Sequence, residues 1–165
     1  MPQDSSNEPS TTHKGANANF PSTTTSDPEA VRSFALDIAR LLSDDKCQDV
    51  LVLDVRELSQ VSDYLVIATG TSDRQIRSVI QHVLDLGEER GNPAFGSLKD
   101  ESCTWVIADF VDIVVHLFEP NTRAFYDLEM LWGDAPRLVW EREGDPSRNR
   151  AGLSRDDVLP EDRAR

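Results

Sequence analysis

The chain has 165 residues, which suggests one domain, and its 30 acidic against 17 basic residues give a formal net charge of −13. That charge argues against a general nucleic-acid-binding protein, which needs a basic face, and against attraction to an anionic membrane. An acidic domain is instead steered towards a basic protein surface. The sequence shows no apolar run of membrane-spanning length and no secretory signal pattern, and its two separated cysteines indicate a reduced, cytoplasmic setting.

Composition divides the chain into a central domain and two tails. Residues 1–27 are rich in Ser, Thr, Asn and Pro, so they cannot bury enough apolar surface to offset the entropy of ordering. We therefore expect a disordered tail there. Residues 141–165 mix acids with arginines and contain Pro and Gly, and we expect a second, charged and disordered tail. The predicted folded domain covers residues 29–140.

The first predicted elements are one helix and two strands. Asp27 is placed to cap a helix, Pro28 suits its first turn, and apolar residues continue at helical spacing to Leu42. Asp49 to Val55 and Tyr64 to Thr69 are apolar runs of strand length, which is typical of buried strands.

The second half of the domain completes an α/β pattern. Its first predicted element is a helix capped by Ser72 and ended by Gly91-Asn92-Pro93. An antiparallel pair of strands follows over Thr104–Ala108 and Ile113–Phe118. A short helix capped by Asn121 and ending near Leu131, and a final strand over Arg137–Trp140, complete the domain. The order α-β-β-α-β-β-α-β predicts an α/β fold with a mixed sheet of about five strands flanked by helices.

No complete catalytic set is found in the sequence. The Gly70-Thr71-Ser72 turn lacks the glycine pattern and the lysine of a phosphate-binding loop, so we interpret it as a capped strand-to-helix turn. The carboxylates of Asp54 and Glu57, and those of Asp109 and Asp112, are spaced i, i+3, which on a strand points them to opposite faces. We therefore predict no catalytic residues, no metal site and no cofactor.

Histidine and aromatic residues suggest a different role. His116 lies in a predicted strand, and we interpret it as a hydrogen-bonded sheet residue, with a place in a partner interface as the second interpretation. Five aromatic residues suit a core and a protein interface equally well: Trp105, Phe125, Tyr126, Trp132 and Trp140. Because Glu129 lies close to these aromatic residues in the sequence, this group is also suited to binding arginine or lysine on a basic protein.

A set of motifs in a fixed order resembles the ribosomal silencing factor family, also called the iojap family. The matching elements are Leu53-Asp54-Val55, Val61-Ser62-Asp63-Tyr64, Ala68-Thr69-Gly70-Thr71-Ser72, Trp105 followed by Asp109, Asp112-Ile113-Val114-Val115-His116-Leu117-Phe118, Arg123-Ala124-Phe125-Tyr126-Asp127-Leu128-Glu129 and Leu131-Trp132. The resemblance covers about residues 29–140.

The resemblance implies a nucleotidyltransferase-like core without catalytic carboxylates, and a protein that is not an enzyme. It implies a bacterial cytoplasmic protein that binds the large ribosomal subunit through its fourteenth ribosomal protein. Joining of the small subunit is then blocked and translation is repressed. The family analogy also includes a homodimer when the protein is free. From the acidic net charge we expect no direct sequence-specific binding of nucleic acid. Two alternatives stay open, a factor for maturation of the large subunit and a divergent nucleotidyltransferase.

The resemblance also directs attention to one set of partner-binding candidates. We expect the docking surface or its support to include Trp105, Asp109, His116, Arg123, Tyr126, Glu129 and Trp132. In this interpretation the aromatic rings supply buried area, the carboxylates pair with basic residues of the partner, and Arg123 orients an acid or touches ribosomal RNA. We expect Glu129→Lys to abolish ribosome binding without unfolding the domain.

The chain departs from the family pattern at two places. Leu98-Lys99 stands where family members usually carry Glu-Gly, and Val111 stands where they usually have Gly in the hairpin turn. A β-branched residue disfavours a positive φ, so we expect the turn at Val111 to differ in shape.

Overall fold

The computed structural model describes residues 26–99 and 101–144. Its elements are α1 Pro28–Asp44, β1 Gln48–Asp54, β2 Tyr64–Thr69, α2 Asp73–Glu89, β3 Gly96–Lys99, β4 Trp105–Asp109, β5 Ile113–Phe118, α3 Pro120–Tyr126 and α4 Leu128–Leu131. The predicted domain lies within this range. The predicted tails lie outside the described residues, except for residues 26–27 and 141–144. None of the described helices has the length and apolar character needed to cross a membrane.

The strands form one mixed sheet in the order β1-β2-β5-β4-β3. β2 runs parallel to β5, and the other neighbouring pairs are antiparallel. All six residues of β2 are buried, because this strand lies inside the sheet with side chains packed on both faces. The predicted α/β class and mixed five-stranded sheet are therefore confirmed, as is the antiparallel pair of β4 and β5.

Helices α1 and α2 cover one face of the sheet and enclose the main core. Asp27 accepts a hydrogen bond from the Glu29 amide at the start of α1, and Ser72 accepts one from the Gln75 amide at the start of α2, so both predicted caps are confirmed. The helices bury Phe34, Ile38 and other apolar side chains against the sheet.

The opposite face carries a smaller cluster that covers only part of the sheet. The members of this minor core are Leu53, Val55, Leu65, Ile67, Phe118 and Ala135. Trp132 and Leu128 pack against the minor core from α4 and its end. Since α3 and α4 are short, the β3–β4 part of this open face carries side chains that remain partly or largely exposed.

The prediction of a final strand over Arg137–Trp140 was wrong. That segment makes one isolated antiparallel bridge, between Arg137 and Leu53, and donates the Leu138 amide to the Val52 carbonyl. The Trp140 ring is buried among the main core residues, where its Nε1 donates to the Val50 carbonyl. The fifth strand is instead β3, whose four residues are all exposed, so its sequence lacks the alternation that indicates a strand.

The predicted helix from Asn121 to Leu131 is two helices. The N-cap is Glu119, whose carboxylate accepts from the Thr122 amide, and Pro120 occupies the first turn. Asn121 was therefore the wrong cap. Asp127 separates the helices with φ of 42°, a left-handed conformation that short polar side chains tolerate, and its carboxylate accepts from the Met130 amide.

Candidate functional site

The open face of the sheet brings distant residues side by side. Trp105 pairs with Phe118 across β4 and β5, and Ile107 pairs with His116. Because side chains of paired residues point to the same face, all four lie on the face away from α1 and α2. Leu98 pairs with Ile107 from β3 and extends this row to the edge of the sheet, where 70% of Leu98 is exposed.

Trp105 is the centre of an aromatic cluster on this face. Its ring stacks on Phe118 with centroids 5.0 Å apart and meets Tyr126 of α3 at 4.6 Å. Phe125 then contacts Tyr126 edge-on at 5.1 Å. The cluster runs outward from the buried Phe118 to Phe125, which is 82% exposed. Ring contacts of this kind stabilise the positions of the outer rings as well as the core.

His116 is a hydrogen-bonded sheet residue, as predicted. The Trp105 indole Nε1 donates to His116 Nδ1 at 3.2 Å. Burial lowers the pKa of His116 to about 4, so its ring is neutral at pH 7. Since indole N–H is only a donor, Nδ1 must be the acceptor and the ring proton must lie on Nε2. This hydrogen bond therefore helps to fix the orientation of the Trp105 ring.

Five side chains form what we call the open-face patch: Leu98, Trp105, Ile107, Phe125 and Tyr126. They come from β3, β4 and α3, and they form an apolar surface with an aromatic centre. Met130 and Leu131 of the following helix α4 are also largely exposed. Exposed apolar surfaces of this kind mark binding sites, because water contact with them is unfavourable.

Arg123 and Glu129 contact each other rather than solvent. The Arg123 Nε donates to Glu129 Oε1 at 2.7 Å, and only 11% of the Arg123 side chain and 21% of that of Glu129 are exposed. Arg123 also donates to the Asp49 carbonyl and to the Thr69 hydroxyl. The structure thus places both residues in an internal brace at the edge of the patch. Their direct contact with a partner stays a prediction.

Asp109 lies on the open face but supports the β4–β5 turn. Its carboxylate accepts from the Val111 amide at 2.8 Å, and the Asp112 amide bonds back to the Phe110 carbonyl. Val111 has φ of 72°, so this β-branched residue adopts the left-handed conformation that glycine takes without strain. The expected change of turn shape is therefore not needed to accommodate Val111.

The features considered for catalysis are used for structure. The Thr71 amide and hydroxyl both donate to the Gln75 side-chain oxygen, so these two donors of the turn before α2 are hydrogen-bonded to the helix that follows. Arg56 donates two hydrogen bonds from its guanidinium and one from its backbone amide to the Asp54 carboxylate, and holds the pKa of that carboxyl below its usual range. Across the described ranges, 26–99 and 101–144, no group of three or more His, Cys, Asp or Glu side chains is arranged to hold a metal ion.

The sequence pointed to only part of this surface. Leu98 and Ile107 were not among the candidates, and Phe125 was considered for core or interface but left out of the partner-binding set, because ordinary strand and helix periodicity does not reveal which apolar face stays uncovered. Thr69 was also missed as a partner of Arg123, since its hydroxyl comes from a strand 54 positions earlier in the chain. An adjacent Phe125-Tyr126 pair on a short helix was the available signal, because both rings cannot face the same core.

The sequence matches known proteins over the whole described domain. A family model described as RsfS, ribosomal silencing factor during starvation, matches residues 28–164. The ribosomal silencing factor RsfS of Bacillus subtilis is 39% identical over 102 residues, which are 61% of this chain and 86% of that protein. The chloroplastic protein Iojap of Zea mays is 39% identical over 104 residues, which are 62% of this chain and 45% of that protein.

A mouse relative and a solved structure extend the comparison. The mouse protein is named mitochondrial assembly of ribosomal large subunit protein 1, and it is 30% identical over 98 residues, 58% of this chain and 43% of its own length. A crystal structure of a Chromobacterium violaceum protein is 33% identical, with a TM-score of 0.58 over 65% of this chain and 87% of that one. The names of these relatives describe regulatory or assembly factors rather than enzymes. On these matches and its mixed five-stranded fold, the chain belongs to the ribosomal silencing factor family, the family of RsfS and Iojap.

Proposed function

We propose that this chain binds the large ribosomal subunit at its fourteenth ribosomal protein and sterically blocks joining of the small subunit. Translation in the bacterial cytoplasm is thereby repressed. Membership of the ribosomal silencing factor family supports the process, and the open-face patch supports the mode of binding. An acidic chain of net charge −13 is also steered to basic proteins of the ribosome.

The observation that carries the proposal is the exposed aromatic centre of the open-face patch. Tyr126 is 49% exposed and Phe125 is 82% exposed, while Trp105 holds Tyr126 from the sheet. Tryptophan and tyrosine are enriched among the residues that contribute most to protein interfaces, because they bury a large area at a small cost in conformational entropy. A patch of this composition favours a folded protein surface as its partner.

The internal brace changes how a Glu129 variant must be understood. We predicted that Glu129→Lys abolishes binding through loss of a direct contact. Because Glu129 bonds to Arg123, a lysine there also places two cations together and disturbs α3 and α4. Loss of binding in that variant would therefore not distinguish a partner contact from a displaced helix. Phe125 is the sharper position, since its side chain points outward.

Subunit joining tests the proposal directly. Purified bacterial subunits are mixed, joining is followed by light scattering, and the wild-type chain is added in increasing amounts. We expect a dose-dependent loss of joined ribosomes, with the protein co-sedimenting on the large subunit. Phe125→Glu places a charge in the contact and should weaken inhibition by at least about tenfold, the effect of one interface residue worth about 1.4 kcal/mol or more.

Val61→Glu is the matched control for this experiment. Val61 is 84% exposed and lies in the loop between β1 and β2. That loop is at the opposite end of β2 from Thr69, where Arg123 attaches α3. We expect Val61→Glu to inhibit joining as the wild type does. Full inhibition by a folded Phe125→Glu protein would remove the open-face patch from the interface.

A role in large-subunit maturation is the second candidate, and the name of the mouse relative favours it. It makes a different prediction in the same experiment. If the protein co-sediments with the large subunit but joining proceeds normally, binding without blockage is established, and maturation becomes the better explanation.

We also infer that two copies associate when the protein is free. Among the described residues, β3 pairs only with β4, so its outer edge offers unpaired amides and carbonyls. Leu98 and the 83% exposed Phe95 lie at this edge. Sedimentation velocity of the free chain should show a dimer whose population rises with concentration, and a monomer at all concentrations would contradict it.

A further inference from the structure

Helix α3 carries Phe125 and Tyr126, the outer part of the open-face patch, and α4 follows it directly, but both helices are too short to hold their own position. They are seven and four residues long, and neither contains a fully buried residue. Helices this short do not persist in water on their own propensity, because nucleation is unfavourable. Their position must therefore come from tertiary contacts.

Arg123 contributes hydrogen bonds to three other elements. Its guanidinium Nη1 donates to the Asp49 carbonyl at 2.7 Å and to the Thr69 hydroxyl at 2.8 Å, and its Nε donates to Glu129 at 2.7 Å. One side chain of α3 is thus joined to β1, β2 and α4. The contacts are mostly shielded from solvent, since only 11% of the Arg123 side chain is exposed.

The chemistry of this position requires an arginine. The guanidinium directs several N–H donors in fixed directions, so that one group reaches a carbonyl, a hydroxyl and a carboxylate together. The lysine ammonium is a compact charge on a flexible stem and cannot reproduce that geometry. Glu129 balances the charge of Arg123, which makes a largely buried cation tolerable.

We propose that Arg123 is a positioning residue for ribosome binding, which fixes α3 and α4 so that Phe125 and Tyr126 face the partner. This inference rests on the proposed function. Arg123 acts from behind the helices, and the partner meets the aromatic rings instead. If the helices are held only part of the time, the apparent affinity equals the affinity of the held state multiplied by the fraction of time in which they are held.

Thr69→Val separates positioning from contact. Thr69 is 4% exposed, so no partner can reach it, and valine keeps its shape while removing the acceptor of one Arg123 hydrogen bond. We expect Thr69→Val to weaken binding to purified large subunits severalfold, and Arg123→Lys to weaken it by about tenfold, since it disturbs all three contacts.

Hydrogen exchange supplies the second readout. Amides of residues 121–131 should exchange faster in both variants, because exchange reports the fraction of time in which the helices are released, while affinity reports the fraction in which they are held. Amides of β2 and β5 should keep their protection. A purely structural role would instead lower the protection of the whole domain together and leave the affinity of the folded protein unchanged.

Two variants serve as controls. Arg77→Lys changes an exposed arginine on α2, across the sheet from the patch, and should leave both readouts unchanged. Val115→Ala removes buried volume from the main core on the helix side. It should lower global stability without changing the affinity of the folded protein, which shows that lost stability alone does not weaken binding.

The outcomes are distinct. Weaker binding and faster exchange in both Thr69→Val and Arg123→Lys support the inference. Weaker binding of Arg123→Lys alone, with normal exchange, would show that Arg123 contacts the partner itself and would overturn it. Faster exchange with unchanged affinity would also overturn it while the proposed function stands. A wild-type chain that does not bind large subunits would overturn the proposed function, and the inference with it.

Discussion

At the scale of single residues, the hydrogen bond between Trp105 and His116 links the buried sheet to the exposed patch. The indole donates to the imidazole, and the indole ring supports Tyr126. Burial keeps His116 neutral, with its pKa lowered to about 4. A protonated His116 could not accept this hydrogen bond, so the geometry of the patch depends on a neutral ring.

His116 should make stability depend on pH. The unfolded histidine titrates near 6.5 and the folded one near 4, so the unfolded state binds more protons between these values. Its effect on stability is small above pH 6.5, grows as the pH falls towards 4, and then levels off. We expect the wild type to lose about 2 kcal/mol from this group between pH 7 and pH 5.

His116→Asn isolates this effect, because asparagine can accept from Trp105 without titrating in this range. Urea unfolding at pH 7 and pH 5 measures it as the difference between wild type and variant, which cancels the contribution of carboxylates such as Asp54. Equal losses of stability in the two proteins would show that His116 is not held neutral by folding.

At the scale of elements, the β4–β5 hairpin contains a strained residue. Val111 has φ of 72°, and 56% of its surface is exposed, so little burial offsets the unfavourable backbone conformation. The Asp109 carboxylate, which accepts from the Val111 amide, and the ladder between β4 and β5 impose this turn. Strand pairing therefore outweighs the local preference of valine.

Val111→Gly should stabilise the domain by about 1 kcal/mol, because glycine adopts a positive φ without strain even after its greater flexibility in the unfolded chain is counted. Thermal or urea unfolding measures the gain. Val61→Gly is the control, since Val61 is exposed but is not among the residues with a positive φ, and it should leave stability unchanged or lower it. A loss of stability in Val111→Gly would show that the turn is not strained.

Comparison of the predicted with the observed helices and strands shows which elements can be predicted from local sequence pattern. Helices α1 and α2 and strands β1, β2, β4 and β5 were predicted within a residue or two, because each buries an apolar face whose period is visible in the sequence. β3 was missed because all four of its residues are exposed and only its pairing with β4 makes it a strand. The split between α3 and α4 was missed because Asp127 takes a left-handed conformation there.

At the scale of the whole molecule, the two edges of the sheet differ. The β1 edge is partly covered by residues 136–138, while the β3 edge is uncovered among the described residues. Trp140 anchors the segment that covers β1. Only 6% of this residue is exposed, its Nε1 donates to the Val50 carbonyl, and its own carbonyl accepts from Arg40. The segment that ends at Trp140 is thus part of the domain core.

Shortening the chain from its C-terminal end should therefore lower stability sharply once Trp140 is removed. We expect residues 26–144 to unfold at the same temperature as the full chain, because the composition of the sequence on either side predicts disordered tails. A chain ending at residue 136 lacks Trp140 and should lose about 3–5 kcal/mol, the usual cost of deleting a buried tryptophan side chain. Differential scanning calorimetry makes the comparison.

Trp140→Ala in the full chain is the companion variant, since it removes the ring but keeps the segment that covers β1. It should be nearly as unstable as the shorter chain if the ring is the main anchor. A chain ending at residue 136 that is as stable as the full chain would show that the C-terminal segment contributes nothing to the core.

The sequence by itself determined the α/β class, the main helices and their caps, the central strands and the family, because each depends on local spacing or on motifs in a fixed order. Tertiary structure decided which aromatic residues stay exposed, that Arg123 and Glu129 brace each other, and which strand forms the free edge. These features depend on which faces remain uncovered after packing and on partners far apart in the chain. Exposure and long-range pairing are properties of the assembled fold, so periodicity along the sequence cannot report them.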